Sequence, residues 1–293
     1  MLIGSLFTGC GGIELGLKLA GVDFTMPWWA EWDEDLSKIR LPGTDYDADL
    51  GDVTQVDWWL QEEVDLITAG FPCQPVSSAG GKRGDADPRW LWPEVARALD
   101  AQRPHQLLME NVPNLVYFDG GRLWNQILDD LTDQLGYGVR WLTLGACHVQ
   151  AAHHRHRLFL LATRGEWAAE VERVPTRFCA VQGRWDVFPT PTARLDDGED
   201  LTGSLERVGQ LQVTLTRYGR AIEKHVEAYG PPPLISEIGP RGLPRLSAQF
   251  AEWLMCLPEG HVTQWLERTK ALSVIGNAVC PPQLAEAWRL LNA

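Results

Sequence analysis

From residue 1 to about residue 164, short apolar or β-branched runs alternate with amphipathic segments, and this alternation constrains the fold more than any other feature. Runs at 2 to 7, 25 to 31, 64 to 69, 105 to 110, 138 to 146 and 157 to 163 read as buried strands. Segments at 12 to 20, 91 to 101 and 121 to 135 carry helical periodicity, and Gly21 is placed to end the first helix. Strand and helix in alternation predict an α/β domain, a mostly parallel sheet with helices on both faces. After Thr163 the pattern gives way to proline- and arginine-bearing stretches such as Phe188-Pro189-Thr190-Pro191-Thr192, which predict a smaller, loop-rich second domain. Helical periodicity returns near Leu246, through Phe250, Trp253, Leu254 and Leu257, and again over 282 to 291. The expected division is therefore 1–164, completed by 272–293, with 165–271 forming the second domain and its following helix.

In an open parallel sheet, ligands gather outside the carboxyl ends of the strands. The residues just past the expected strands are the ones with chemistry to offer: Phe7-Thr8-Gly9-Cys10-Gly11-Gly12, Glu31-Trp32, Asp52-Val53, Pro72-Cys73 and Glu110-Asn111. The glycine turn lets backbone approach a ligand closely. Glu31 can accept hydrogen bonds from ribose hydroxyls, Trp32 can face an adenine ring, and Asp52 can accept from an adenine amino group. Cys73 follows Pro72 and precedes the small-residue loop Gln74-Pro75-Val76-Ser77-Ser78-Ala79-Gly80-Gly81, so its thiol stands on an exposed turn beside a segment able to move. The stretch from Ser77 to Arg89 is the expected lid.

Six cysteines at 10, 73, 147, 179, 256 and 280 include no Cys-x-x-Cys pair, which argues for free thiols over a zinc knuckle or a disulfide framework. His153-His154-Arg155-His156 has arginines among its imidazoles and no partner cluster, so no metal is expected. No apolar run reaches the roughly 20 residues that span a bilayer. With no basic, cleavable segment at the N-terminus, the expected location is the cytoplasm. The net charge of −13 argues against an extended nucleic-acid surface, but the acidity sits mainly in residues 1–164, with 23 acidic against 13 basic side chains. A local basic cleft is compatible with that distribution.

These residues resemble the DNA cytosine-5 methyltransferase family, of the compact bacterial and phage kind. The motifs that carry the likeness are the glycine turn at 7 to 12, Gly70-Phe71-Pro72-Cys73-Gln74, Met109-Glu110-Asn111-Val112, His154-Arg155-His156-Arg157, Glu252-Trp253-Leu254-Met255 with Leu257-Pro258-Glu259-Gly260, and Gly276-Asn277-Ala278-Val279. Ser5 departs from the pattern where Asp is common, and His153 stands where glutamine is usual. The resemblance implies a class I S-adenosylmethionine-dependent methyltransferase fold, Rossmann-like, with a small target-recognition domain. It implies Cys73 as nucleophile toward C6 of cytosine, Glu110 at N3 and the amino group, and Arg155 and Arg157 near O2 and the phosphates. It implies a place for S-adenosyl-L-methionine, leaving as S-adenosyl-L-homocysteine, among Phe7, Thr8, Gly9, Cys10, Gly11, Gly12, Glu31, Trp32, Asp52, Val53 and Pro72, closed by Asn277, Ala278 and Val279.

The expected partner is double-stranded DNA, whose cytosine must be turned out of the stack. Target recognition is expected from 165 to about 245, where Arg173, Arg177, Arg184, Arg194, Arg207, Arg217 and Arg220 could meet phosphates or guanine edges. A monomer is expected, with a cognate restriction endonuclease as a further possible partner in the cell. Two other readings stay open: methylation of cytosine in RNA such as tRNA, and a DNA-binding regulator that keeps the fold without turnover.

Overall fold

The structure, a computed structural model, describes residues 1–41, 43–44, 46–76, 83–165, 170–176, 219–240 and 242–293. Among them an eight-stranded sheet runs in the order β3-β2-β1-β4-β5-β7-β6-β8. Its strands are β1 (Leu2–Leu6), β2 (Thr25–Ala30), β3 (Tyr46–Asp49), β4 (Leu66–Ala69), β5 (Gln106–Asn111), β6 (Tyr137–Gly145), β7 (His156–Arg164) and β8 (Val171–Arg173). The pairs β1–β2, β2–β3, β1–β4 and β4–β5 are parallel, whereas β7 runs antiparallel to both β5 and β6.

Alternation along the strands feeds two apolar layers. Ile3, Leu66, Leu108, Phe159 and Leu161 face the side covered by α1 (Gly12–Leu19) and α7 (Pro281–Leu291). Leu6, Ile67, Leu107, Met109, Leu158 and Leu160 face the side covered by α2 (Trp92–Gln102) and α3 (Arg122–Asp129). The second layer needs close approach of the chain to itself. Gly4 leaves the room that the Trp28 ring fills, since a Cβ there would lie 2.0 Å from the indole. Pro27, which has no N–H to donate, lies where the β1–β2 register shifts between Leu2 and Gly4.

Two strands of this sheet escaped the sequence reading. β3 is four residues long and carries two aspartates, and β8 is three exposed residues. Both are sheet edges, where short charged strands are common and no apolar pattern marks them. The helix expected over 121 to 135 also differs. It ends as an α-helix at Asp129 and continues as one π-helical turn, Asp130–Gln134, in which Asp130 accepts from Trp92 Nε1 at 2.7 Å and from Gln134 Nε2 at 2.8 Å.

Beyond residue 218 the chain forms α4 (Gly219–Tyr229), the hairpin β9 (Ser236–Ile238) and β10 (Pro244–Leu246), α5 (Ala248–Leu254), α6 (Arg268–Asn277) and α7. His225 on α4 accepts from the Ala152 N–H at 3.1 Å and meets the Trp253 carbonyl through Nε2 at 3.1 Å, and burial pushes its pKa down to about 4. The sequence puts the domain division at 271/272. It falls inside α6, and Ala248, Ala251, Met255, Leu257, Val262 and Leu266 already belong to the apolar layer over α1. The chain meets the layer over α1 from α5 onward through Ala248 and Ala251, while Phe250 and Leu254 of the same helix pack with Ala152.

The return is held by Glu252, 1% exposed, whose carboxylate accepts from the backbone N–H groups of Gly260 (2.9 Å), Val262 (2.5 Å) and Thr263 (3.1 Å) and from Thr263 Oγ1 (2.9 Å). Removing it strands three N–H donors in a buried turn, at a cost of about 1–3 kcal/mol for each that stays dry. Glu252→Ala is therefore expected to lower unfolding stability by about 3 kcal/mol or more, read from urea denaturation by tryptophan fluorescence.

Candidate active site

The carboxyl ends of β1, β2, β4 and β5 open on one rim of the sheet, and β7, being antiparallel, begins on the same rim. A pocket of about 500 Å³ lies there, within the size range of small-molecule sites. Its walls bring together ten of the residues singled out from sequence: Phe7, Glu31, Trp32, Asp52, Val53, Pro72, Cys73, Glu110, Arg157 and Asn277.

Past β1, Phe7 takes a left-handed φ of 57° and its N–H bonds to the Ala30 carbonyl at 3.0 Å. Gly9 and Gly11 also have positive φ, and Gly11 starts α1. Glu31 ties this turn to the end of β2, accepting from the Gly9 N–H at 2.8 Å and the Asp33 N–H at 3.0 Å. Burial lifts its carboxyl above the usual range against the pull of those two amides. Trp32 is 78% exposed at the pocket wall, an open indole face with room for a planar ring. Asp52 caps a 3-10 turn by accepting from the Thr54 N–H at 2.9 Å, and Arg97 on α2 braces that turn through the carbonyls of Val53 (2.6 Å) and Val56 (2.7 Å).

The remaining glycine-turn residues lie behind the wall. Cys10 is buried, its thiol pushed up to about 12 by desolvation, and its carbonyl meets His261 Nε2 at 2.6 Å. Gly12 packs on the chain end, where a Cβ would come within 2.9 Å of the Val279 carbonyl. Thr8, Gly11, Ala278 and Val279 likewise shape the wall without lining it.

Cys73 follows β4 on a turn pinned by Asn111, whose Nδ2 donates to the Phe71 carbonyl at 3.3 Å. Burial raises the Cys73 pKa and the Glu110 charge raises it further, while Arg157 and Arg155 pull it down. Glu110 on β5 is register partner of Phe159, and Arg157, two residues earlier on the same face of β7, reaches it: Nε to Oε1 is 2.8 Å. Burial raises the Glu110 pKa too, opposed by Arg157 and then Arg155. A thiol, a buried carboxyl and a guanidinium therefore converge in the same pocket as an exposed indole and two acids.

Arg155, expected near cytosine O2 and the phosphates, does not line this pocket. Its guanidinium is buried and donates to the carbonyls of Gly276, at 2.8 Å, and Ala278. The reason is geometric: α6 ends with carbonyls left over, and Arg155 fills that demand. Leu36, Thr54, Arg89 and Leu91 line the pocket without having been singled out as ligands. Arg89 alone had a signal, as the end of the expected lid; it forms an ion pair with Asp87 at 2.8 Å. Residues 77–82 of that lid lie outside the described residues, and residue 85 is held by Arg122 through two bonds of 2.8 and 2.9 Å. Arg177, Arg184, Arg194, Arg207 and Arg217 also lie outside the described residues, as does the side chain of Arg220. Arg173 sits over the Trp141 ring at 5.1 Å.

Comparison with known proteins gives a family match over residues 1–194, described as C-5 cytosine-specific DNA methylase. Type II methyltransferase M.NlaX of Neisseria lactamica is 37% identical over 157 residues, 53% of this chain and 50% of that protein. Type II methyltransferase M.Eco47II of Escherichia coli is 37% identical over 171 residues, 57% and 40% of the two chains. The chain spans about half the length of the curated relatives it matches, or somewhat less. Among solved structures, the S. pombe Dnmt2 methyltransferase superposes with a TM-score of 0.62 at 15% identity, covering 99% of this chain and 98% of that one. At that identity the likeness speaks for the fold, a class I methyltransferase fold. No helix of the described residues is long and apolar enough to cross a membrane.

The thiol electrostatics yield a direct test. Because Glu110 raises the Cys73 pKa and Arg157 lowers it, Glu110→Gln removes the opposing charge and releases Arg157. Alkylation of Cys73 by iodoacetamide at pH 8, followed by peptide mass spectrometry, is expected to run faster in Glu110→Gln than in the wild type.

Proposed function

The chain belongs to the C-5 cytosine-specific DNA methylase family, and from that premise we propose that it moves a methyl group from S-adenosylmethionine to C5 of a cytosine turned out of duplex DNA. The observation that carries this reading is the common wall: Cys73, Glu110 and Arg157 face the same pocket as Phe7, Glu31, Trp32 and Asp52.

The pocket fits the cofactor. Glu31 is anchored by two amides and keeps lone pairs for ribose hydroxyls, and Trp32 offers an open face. When bound, S-adenosylmethionine supplies a methyl group on a positively charged sulfur.

The residues of this chain supply the rest. Cys73 attacks C6 of the ring as thiolate, forming the Sγ–C6 bond. Charge then builds in the ring, and Glu110, whose pKa burial raises, meets it at N3. Arg157 holds the Glu110 carboxyl, so the carboxylate left after proton transfer has its partner in place. C5, now carbanion-like, is the atom that accepts the methyl group. Loss of the C5 proton reforms the double bond and expels Cys73. Arg155 acts through the chain end, fixing Gly276 and Ala278 on either side of Asn277, which lines the pocket. Duplex DNA as partner and a restriction endonuclease in the same cell belong to this reading, which the relatives' names as Type II methyltransferases support.

Labelled S-adenosylmethionine tests the reading when the protein is offered duplex DNA and tRNA in parallel. Label in DNA cytosine is expected; label in RNA alone would replace DNA by RNA as substrate, and label in neither would favour a regulator. Glu110→Gln is expected to slow methyl transfer by about 10² to 10⁴ while DNA affinity stays near wild type.

A further inference from the structure

A chain of buried polar groups lies beneath the mouth of the pocket, and the chemistry above leaves it unused. Glu14 stands in the first turn of α1, 1% exposed. Its Oε1 accepts from Ser5 Oγ at 2.8 Å and from Thr68 Oγ1 at 2.6 Å. Ser5 Oγ in turn accepts from Thr8 Oγ1 at 2.9 Å. Ser5 and Thr68 are register partners on the adjacent parallel strands β1 and β4. Two residues beyond Ser5 the glycine-rich turn begins at Phe7, and two beyond Thr68 stands Gly70, which leads to Cys73.

A leucine at this position would be cheaper to bury. A carboxyl taken out of water costs several kcal/mol unless its bonds compensate, and here Oε2 has no partner. The helix face around it is otherwise apolar, with Ile13, Leu15 and Leu17 in the core. The acid is therefore not needed for packing. The turn it supports is strained: a phenylalanine at φ 57° persists only where its surroundings determine it, at a cost of about 1–3 kcal/mol. The Ala30 carbonyl holds Phe7 and Thr8 from the side, and the Thr8-Ser5-Glu14 hydroxyl chain holds the turn from below.

We propose that Glu14 is a positioning residue for methyl transfer: through Ser5, Thr8 and Thr68 it fixes the glycine-rich turn and the Cys73 turn relative to each other. The inference rests on the reading of the site as a methyltransferase. Glu14 touches neither partner. It sets the spacing between the loop that would hold the methyl donor and the loop that carries the nucleophile, and an error of about 1 Å in such spacing can cost about 10²-fold in rate.

Four variants of the full chain test this. Glu14→Leu removes the acceptor at similar volume, Ser5→Ala and Thr68→Val each remove one donor, and Glu14→Gln keeps the acceptor. S-adenosylmethionine affinity is read by calorimetry, kcat at saturating cofactor by methyl transfer to DNA, and folding by urea midpoint. Glu14→Leu is expected to weaken cofactor binding and lower kcat by about tenfold each, with DNA affinity unchanged. Ser5→Ala and Thr68→Val should move the same two quantities in the same direction by a smaller factor, and Glu14→Gln should restore both to within about threefold of wild type. If Glu14→Leu fails to fold, Ser5→Ala and Thr68→Val decide. Variants whose urea midpoint falls while cofactor affinity and kcat of the folded fraction stay at wild type would reduce Glu14 to a packing residue and overturn the proposal. A wild-type protein that binds no S-adenosylmethionine overturns the methyltransferase reading itself, and the inference with it.

Discussion

The parallel pairing of β1 with β4 is the constraint on which the site depends. Ser5 lies opposite Thr68 and Leu6 opposite Ala69, so the two chains leave the sheet side by side, one toward the glycine turn and the other toward Cys73. Neither strand can slip, because a shift of one residue would exchange the faces that feed the two apolar layers. On one side β2 adds Glu31 and Trp32, and on the other β5 adds Glu110. The antiparallel return of β7 brings Arg157 back to the same rim, on the face that Glu110 occupies.

An acidic chain places three carboxyls under this rim, Glu14, Glu31 and Glu110, and burial raises the pKa of each. Each has different company. Two amides hold Glu31, two hydroxyls hold Glu14, and a guanidinium holds Glu110. The differences suit different work: anchoring a turn, bridging two strands, and handling a proton at the pocket wall. Arg155 adds a cation to the same region, and its two carbonyl bonds join residue 155 to the chain end, while Gln283 on α7 donates to the Arg155 carbonyl at 2.9 Å. The C-terminal helices are thereby tied to the sheet that carries the pocket.

The central sheet was legible because its strands are apolar runs bounded by turn residues, and their ends carry the polar groups of the pocket. What the sequence concealed has identifiable physical reasons. β3 and β8 are edge strands of four and three residues with no apolar pattern to read. The π turn at Asp130 goes with a tertiary bond from Trp92, thirty-eight positions away. The early return of the chain to the core at Ala248 was hidden because amphipathic periodicity tells which face is apolar and not what it meets. A motif likewise names Arg155 without saying which way its guanidinium turns. Glu14 went unread because a single acid on an amphipathic helix looks like a solvated one until Ser5 and Thr68 are seen opposite it.

The central claim is that Cys73 bonds covalently to a cytosine ring held against Glu110. Duplex DNA with 5-fluorocytosine at the target position tests it, because fluorine on C5 cannot leave as the proton does and the reaction stops with the sulfur still attached. Incubation with S-adenosylmethionine, denaturing electrophoresis and peptide mass spectrometry should give a protein–DNA adduct on the peptide containing Cys73, absent from Cys73→Ala. An adduct that survives in Cys73→Ala, or methylation of ordinary DNA by that variant, would contradict the account.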